Sequence, residues 1–208
     1  MLMNFSLCLP TCLLLLQATT GPAPLRSFHW DWHNSQELSW MQSLRNAKMS
    51  NSDKAAIAKA IEEQIRPDMF DLGIKSEDQL VKAALDTRIK IVDLNQDGVP
   101  EVVAQAMADC SGDGNCSFWV FKKTSHGYTL LLNGFGQTFT IQKGSANGFR
   151  DIVVAAHGSA TDSGLTLYRY EDGGYKDVAC YEANWAPLGK DGQHQYLKEP
   201  RITPAGCN

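Results

Sequence analysis

The chain has no run of lysines or arginines, and that absence removes two function classes at once. Its 208 residues carry 19 Lys and Arg against 23 Asp and Glu, a net charge of -4 with pI near 5.7. Neither nucleic-acid phosphates nor an anionic membrane surface would meet a basic footprint. Long apolar runs are missing too. Leu13-Leu14-Leu15-Leu16, inside the charge-free segment Met1 to Thr20, is too short to span a bilayer but fits the h-region of a secretory signal. The expectation is export to the periplasm or extracellular space, with no membrane span once residues 1–20 are removed. Closely spaced cysteine pairs, which a four-thiolate zinc site requires, are also lacking. So is any Gly-x-Ser-x-Gly nucleophile elbow.

The cysteines that are present fit an oxidising compartment. Cys8 and Cys12 fall in the signal segment, leaving Cys110, Cys116, Cys180 and Cys207, which admit three pairings. The turn-like Ser111-Gly112-Asp113-Gly114-Asn115 favours Cys110 with Cys116. Cys180 would then pair with Cys207 and pin the C-terminal tail. Closing these loops contributes about 2 and about 3.5 kcal/mol in the chain-entropy account.

Hydrophobic residues make up 43% of the chain, enough for a real core. Residues 21–87 read as a helical segment. From Gln36 to Ala47, Leu38, Met41 and Leu44 with Trp40 recur at helical spacing. Ser50 and Asp53 open a second helix with Ile57, Ala60, Ile61 and Ile65 on one stripe, and Pro67 ends it. Ser76 caps a third, with Gln79 reaching back and Leu80, Ala83 and Ala84 on its buried edge. Residues 88–208 read as strands between glycine-bearing turns, beginning at Arg88–Val92 and ending with Tyr175–Tyr181. Helices first and strands after predict an α+β fold: N-terminal helices packed on a mostly antiparallel β-sheet, in one globular unit.

Within the strand region the chain resembles itself. Gly98-Val99-Pro100-Glu101-Val102-Val103 matches Gly148-Phe149-Arg150-Asp151-Ile152-Val153. Val120-Phe121-Lys122, running on to Gly127-Tyr128, matches Leu167-Tyr168-Arg169, running on to Gly174-Tyr175. The sheet is therefore expected to consist of two degenerate repeat units.

Asp93-Leu94-Asn95-Gln96-Asp97-Gly98-Val99-Pro100-Glu101 lies between two β-branched runs and puts oxygen donors at alternate residues. Calcium takes six to eight oxygens at about 2.3–2.6 Å. Asp93, Asn95, Asp97, the Val99 carbonyl and Glu101 offer five of them, and Gly98 supplies the turn. The twelfth position is Ala104, so the bidentate closing Glu of an EF-hand is missing. Asp-x-Asn-x-Asp-Gly-x-x-Glu entering a strand instead resembles the calcium loops of the FG-GAP and VCBS repeat families. The resemblance implies Ca2+ as cofactor and a noncatalytic adhesion, ligand-binding or accessory role. Two units are too few to close the propeller that many-repeat members form. In the second unit Lys143, Ser145 and Asn147 stand where Asp93, Asn95 and Asp97 do, with Asp151 for Glu101, so only the first loop is expected to hold metal.

The function expected is thus an exported calcium-binding module of the envelope or extracellular space, with a protein or glycan as its partner. Other chemistries have weaker support. His157-Gly158-Ser159-Ala160-Thr161-Asp162-Ser163 groups a base, hydroxyls and a carboxylate, the basis of an alternative reading as a secreted hydrolase. The Cys110–Cys116 loop with Asp113 would suit a periplasmic enzyme inhibitor as a rigid probe. His29 and His33 flank Asp31 at a metal-ligand spacing, and Trp30, Trp32 and Trp40 would make a carbohydrate or peptide platform if exposed.

Overall fold

The computed structural model describes residues 41–207. The signal segment, the aromatic stretch around His29 to His33, and Gln36 to Trp40 lie outside the described residues. Ten strands follow one another as β1 (Gln42–Ser43), β2 (Arg88–Val92), β3 (Glu101–Cys110), β4 (Cys116–Thr124), β5 (Gly127–Gly136), β6 (Thr138–Ala146), β7 (Phe149–His157), β8 (Asp162–Glu171), β9 (Gly174–Asn184) and β10 (Arg201–Ala205). Helices α1 (Asn51–Ile65) and α2 (Glu77–Asp86) fall between β1 and β2. The strands form two antiparallel sheets, ordered β1-β2-β3-β4-β5 and β10-β9-β8-β7-β6. A mostly antiparallel β fold with helices is as expected, but the strands divide into two sheets where one was anticipated.

Both helices start where their sequence signals stand. The Ser50 hydroxyl accepts from the Asp53 amide at 3.0 Å and donates to the Asp53 carboxylate at 2.8 Å. A single 3-10 turn containing Pro67 follows α1. Ser76 caps α2, though the Gln79 side chain reaches past it to the Lys75 amide at 2.6 Å. The expected helix over Gln36–Ala47 is not there in its described part: residues 42–43 are strand and 44–46 a 3-10 turn. The reason is where the apolar residues go. Leu44 packs among the helices, while Met41 packs between the two sheets. Side chains serving two cores cannot share one helical stripe.

Three layers result. Ile57, Ile61 and Ile65 of α1 and Leu80 of α2 bury against Ile89, Val102, Ala104, Trp119 and Phe121 on one face of the first sheet. The Lys123 ammonium on β4 meets Asp53 at 2.7 Å, tying the α1 cap to that sheet. The opposite face presents Val103, Phe118, Val120 and Leu132 to Phe139, Ile152 and Val154 of the second sheet. Alternation along β3 and β4 thus serves two cores at once. Disulfides Cys110–Cys116 and Cys180–Cys207 both form, the first bridging the ends of β3 and β4 and the second holding the tail on β9.

The sheets separate at Gly136 and Gln137. The Gln137 amide already donates to the Ala155 carbonyl on β7, at 2.7 Å. A Cβ on Gly136 would lie 2.5 Å from Val154 Cγ1 and 2.8 Å from the Ala155 oxygen. Only hydrogen fits there. Gly136→Ala is therefore expected to destabilise the chain by about 1–3 kcal/mol, the cost of overpacking. Gly112→Ala, which meets nothing within 4 Å, should stay within about 0.5 kcal/mol of the parent; urea unfolding curves of both check this.

Candidate metal site

The loop 93–100 is closed by the Val92–Glu101 pair, the last rung between β2 and β3. Its path needs two left-handed residues, Gln96 at φ 60° and Gly98 at φ 82°. The acidic and amide side chains hold that path. Asp97 donates its amide to Asn95 Oδ1 at 3.1 Å, and Val99 donates its amide to Asp97 Oδ1 at 2.7 Å. These are two successive Asx turns. The Gly98 amide donates to Asp93 Oδ2 at 3.0 Å, and Asn95 Nδ2 to Asp97 Oδ2 at 2.8 Å. Below them, the Leu94 amide donates to Glu101 Oε2 at 2.9 Å.

Leu94 carries the loop into the interior. It is fully buried in the core between the sheets, and its carbonyl accepts the Arg150 amide of β7 at 3.0 Å. The loop thus touches both sheets.

Charge in the loop is unevenly answered. Asp97 is exposed, and its amide partners Val99 and Asn95, with Lys122 nearby, hold its carboxyl below the usual range. The Lys122 ammonium stands 3.6 Å from Asp97 Oδ2 and 5.1 Å from the Phe149 ring centroid. Glu101 is fully buried, and burial pushes its carboxyl up, offset in part by the Leu94 amide and Lys122. Glu101 Oε1 and Asp93 Oδ1 are both buried without any hydrogen-bond partner. Two such oxygens at one loop are a costly arrangement unless something positive meets them.

The five expected ligands therefore do not all stand alike. Asp93, Asn95 and Asp97 are knitted together through loop amides, and Glu101 lies beneath them. Val99 takes part through its backbone, its side chain being exposed. Among the described residues no three His, Cys, Asp or Glu side chains are gathered tightly enough to hold a metal as they stand. The donor chemistry nonetheless fits a hard cation: carboxylate and amide oxygens only, two of them unpartnered, and each carboxylate with lone pairs to spare.

No family model, curated protein or solved structure matches the chain.

The corresponding place in the second sheet is built differently. Asn147 and Gly148 turn β6 into β7 with φ 50° and 84°, a tight hairpin in place of the long loop. Asp151, 2% exposed, is the third residue of β7 and aligns in sequence with Glu101, the first residue of β3. Its carboxylate is gripped by the fork of Arg169, Nη2 to Oδ2 at 3.1 Å and Nε to Oδ1 at 3.4 Å. Sequence reasoning missed Arg169, Lys122 and Leu94. A cation at the same place in both matched segments was the available signal.

The His157–Ser163 and Cys110–Cys116 segments are each held by hydrogen bonds within the fold. Ser159 and Thr161 donate their hydroxyls to Asp162 Oδ2 at 2.8 and 3.0 Å, closing the turn between β7 and β8. His157 is held by its backbone: Asn115 donates to its carbonyl at 2.9 Å and accepts from its amide at 2.7 Å. That side-chain amide joins the Cys110–Cys116 loop to the second sheet. Asn115 is buried while Asp113 of the same loop is exposed, its carboxyl held low by Ser111. A cavity of about 410 Å³ lies beside the tail disulfide, lined by Asp162, Thr166, Tyr168, Asp177 and Glu182, and His157 does not line it.

Arg169→Met should leave Asp151 buried and unpaired, costing about 3–5 kcal/mol. That cost should be the same in calcium and in chelator, which thermal unfolding in the two buffers would show.

Proposed function

We propose that the chain is a calcium-binding, noncatalytic module of the cell envelope or extracellular space, in which one ion holds loop 93–101 and, through Leu94, the junction of the two sheets. The observation that carries this is the pair of buried, partnerless oxygens, Asp93 Oδ1 and Glu101 Oε1, in a loop of oxygen donors. The loop's likeness to FG-GAP and VCBS calcium loops supports it. The ion would be held by Asp93, Asn95, Asp97, Glu101 and the Val99 carbonyl, with water completing the shell. When bound it supplies fixed positive charge and no reaction.

The repeat belongs to the same reading. In that reading β2–β5 and β6–β9 are two copies of one meander, and it is supported by a buried carboxylate on the second strand and a cation on the third strand of each. One copy kept a metal loop and the other replaced it with Asp151 and Arg169. Export is supported by the two disulfides. No helix among the described residues is long and apolar enough to cross a membrane. A protein or glycan partner is part of the proposal, with affinity for calcium of about 0.1–1 mM, as in extracellular modules.

At about 10 mM calcium such a site stabilises the fold by about 1.4 kcal/mol if the Kd is 1 mM. The Tm should then rise by about 3–6 °C, and Asp97→Ala should remove the rise. Identical melting curves in calcium and chelator would end this reading.

Acidity gives a second test. Because burial raises the Glu101 carboxyl, the metal-free fold gains stability from that group when it is protonated and loses it as pH rises through its titration. A divalent ion needs the carboxylate, so uptake expels protons. Calorimetric titrations in buffers of different ionisation enthalpy should show proton release growing, and calcium affinity falling, as pH drops toward that titration.

A further inference from the structure

Glu101 and Asp151 sit at one register and meet two different cations. β3 and β4 pair through Val102 and Phe121, so one step on, Glu101 neighbours Lys122. β7 and β8 pair through Ile152 and Tyr168, so one step on, Asp151 neighbours Arg169. Arg169 closes its carboxylate with two nitrogens, at 3.1 and 3.4 Å. Lys122 does not close Glu101. Its single ammonium is drawn out to Asp97 at 3.6 Å and the face of Phe149, and Glu101 Oε1 stays unpartnered. The difference follows from side-chain shape, since a guanidinium fork spans a carboxylate and an ammonium is a point charge on a flexible stem.

We infer that Lys122 is the residue that decides whether this loop takes a divalent ion, holding the loop's charge in check when metal is absent while leaving Glu101 open to receive it. The inference rests on the calcium reading of the loop and adds its regulation. Lys122 opposes the incoming ion by like-charge repulsion and so keeps the affinity low. It also spares the metal-free loop the mutual repulsion of Asp93, Asp97 and Glu101. Arg169 is the finished form of the same device, a cation built into the chain that makes metal unnecessary.

The test uses the full chain with calcium chloride as titrant, in wild type, Lys122→Met and Lys122→Arg, together with melting curves in chelator. Lys122→Met should bind calcium about tenfold more tightly, the repulsion of a unit and a divalent charge a few ångströms apart in water, and melt lower than wild type in chelator. Lys122→Arg should bind at least tenfold more weakly yet melt no lower than wild type in chelator, because the fork now reaches Glu101. Calcium binding by wild type with unchanged affinity in both variants would overturn the role of Lys122 and leave the calcium reading standing. Binding by Lys122→Met alone would support that role while ending the calcium reading for the wild-type chain. No heat from wild type or Lys122→Met would overturn both.

Discussion

A carboxylate that water cannot reach must be paired with a positive charge or take up a proton, and the described residues include two such groups, Glu101 at the start of β3 and Asp151 within β7. Asp151 and Glu101 are almost wholly removed from solvent, 2% and 0% exposed. Desolvation of an ionised carboxylate costs several kcal/mol even after relaxation, more than a few neutral hydrogen bonds return. Asp151 meets that cost with Arg169. Glu101 has one amide and a distant ammonium, which leaves its carboxyl raised and one oxygen unanswered. The two sheets therefore differ in how a buried carboxylate is answered as well as in the backbone above it.

The loop above Glu101 matters to the whole molecule because of Leu94. Its amide binds Glu101, its side chain fills the core between the sheets, and its carbonyl takes the Arg150 amide. Three separate demands converge on one residue. Tyr175 reaches the same region from the other side, donating its hydroxyl to the Arg150 carbonyl at 2.8 Å. Phe149, stacked 4.0 Å from Tyr170, offers its other contacts to Lys122 and Tyr175. The residues that answer charge in the loop are thus in direct contact with those that pack the two sheets.

Much of this was legible from residue order, and the losses have physical reasons. Ser50, Pro67 and Ser76 mark helix ends because capping is local, and Arg88–Val92 reads as strand because β-branching is a local preference too. The cysteine pairings were favoured correctly, the short loop admitting little else. Met41 and Leu44 misled because a spacing of three looks helical even when the chain is crossing from one core to another. β10 escaped notice because an edge strand containing Pro204 has little periodicity to show. The division into two sheets was hidden for a different reason: it turns on Gly136 approaching Val154, a contact between residues that nothing in their own neighbourhoods foretells. At the site, donor types were readable, and Lys122 and Arg169 could be seen to align, but which carboxylate each faces could not. A cross-strand neighbour is fixed by register, which only the folded sheet determines.

That distinction bears on the proposed metal loop and on the segment aligned with it in the second sheet. If an ion is held as proposed, a segment without the donors of Asp93, Asn95 and Asp97 must still answer the buried carboxylate beneath them, and leaving that charge unpaired costs about 3–5 kcal/mol. The cation on the neighbouring strand must therefore acquire a reach that covers it, and a lysine stem with one ammonium does not give that reach where a guanidinium does. On the proposed reading Lys122 leaves room for an ion, whereas Arg169 takes the place of one. Where Arg169 closes its carboxylate, the residues aligned with the loop are drawn into β6 and β7, and only Asn147 and Gly148 are left as the turn.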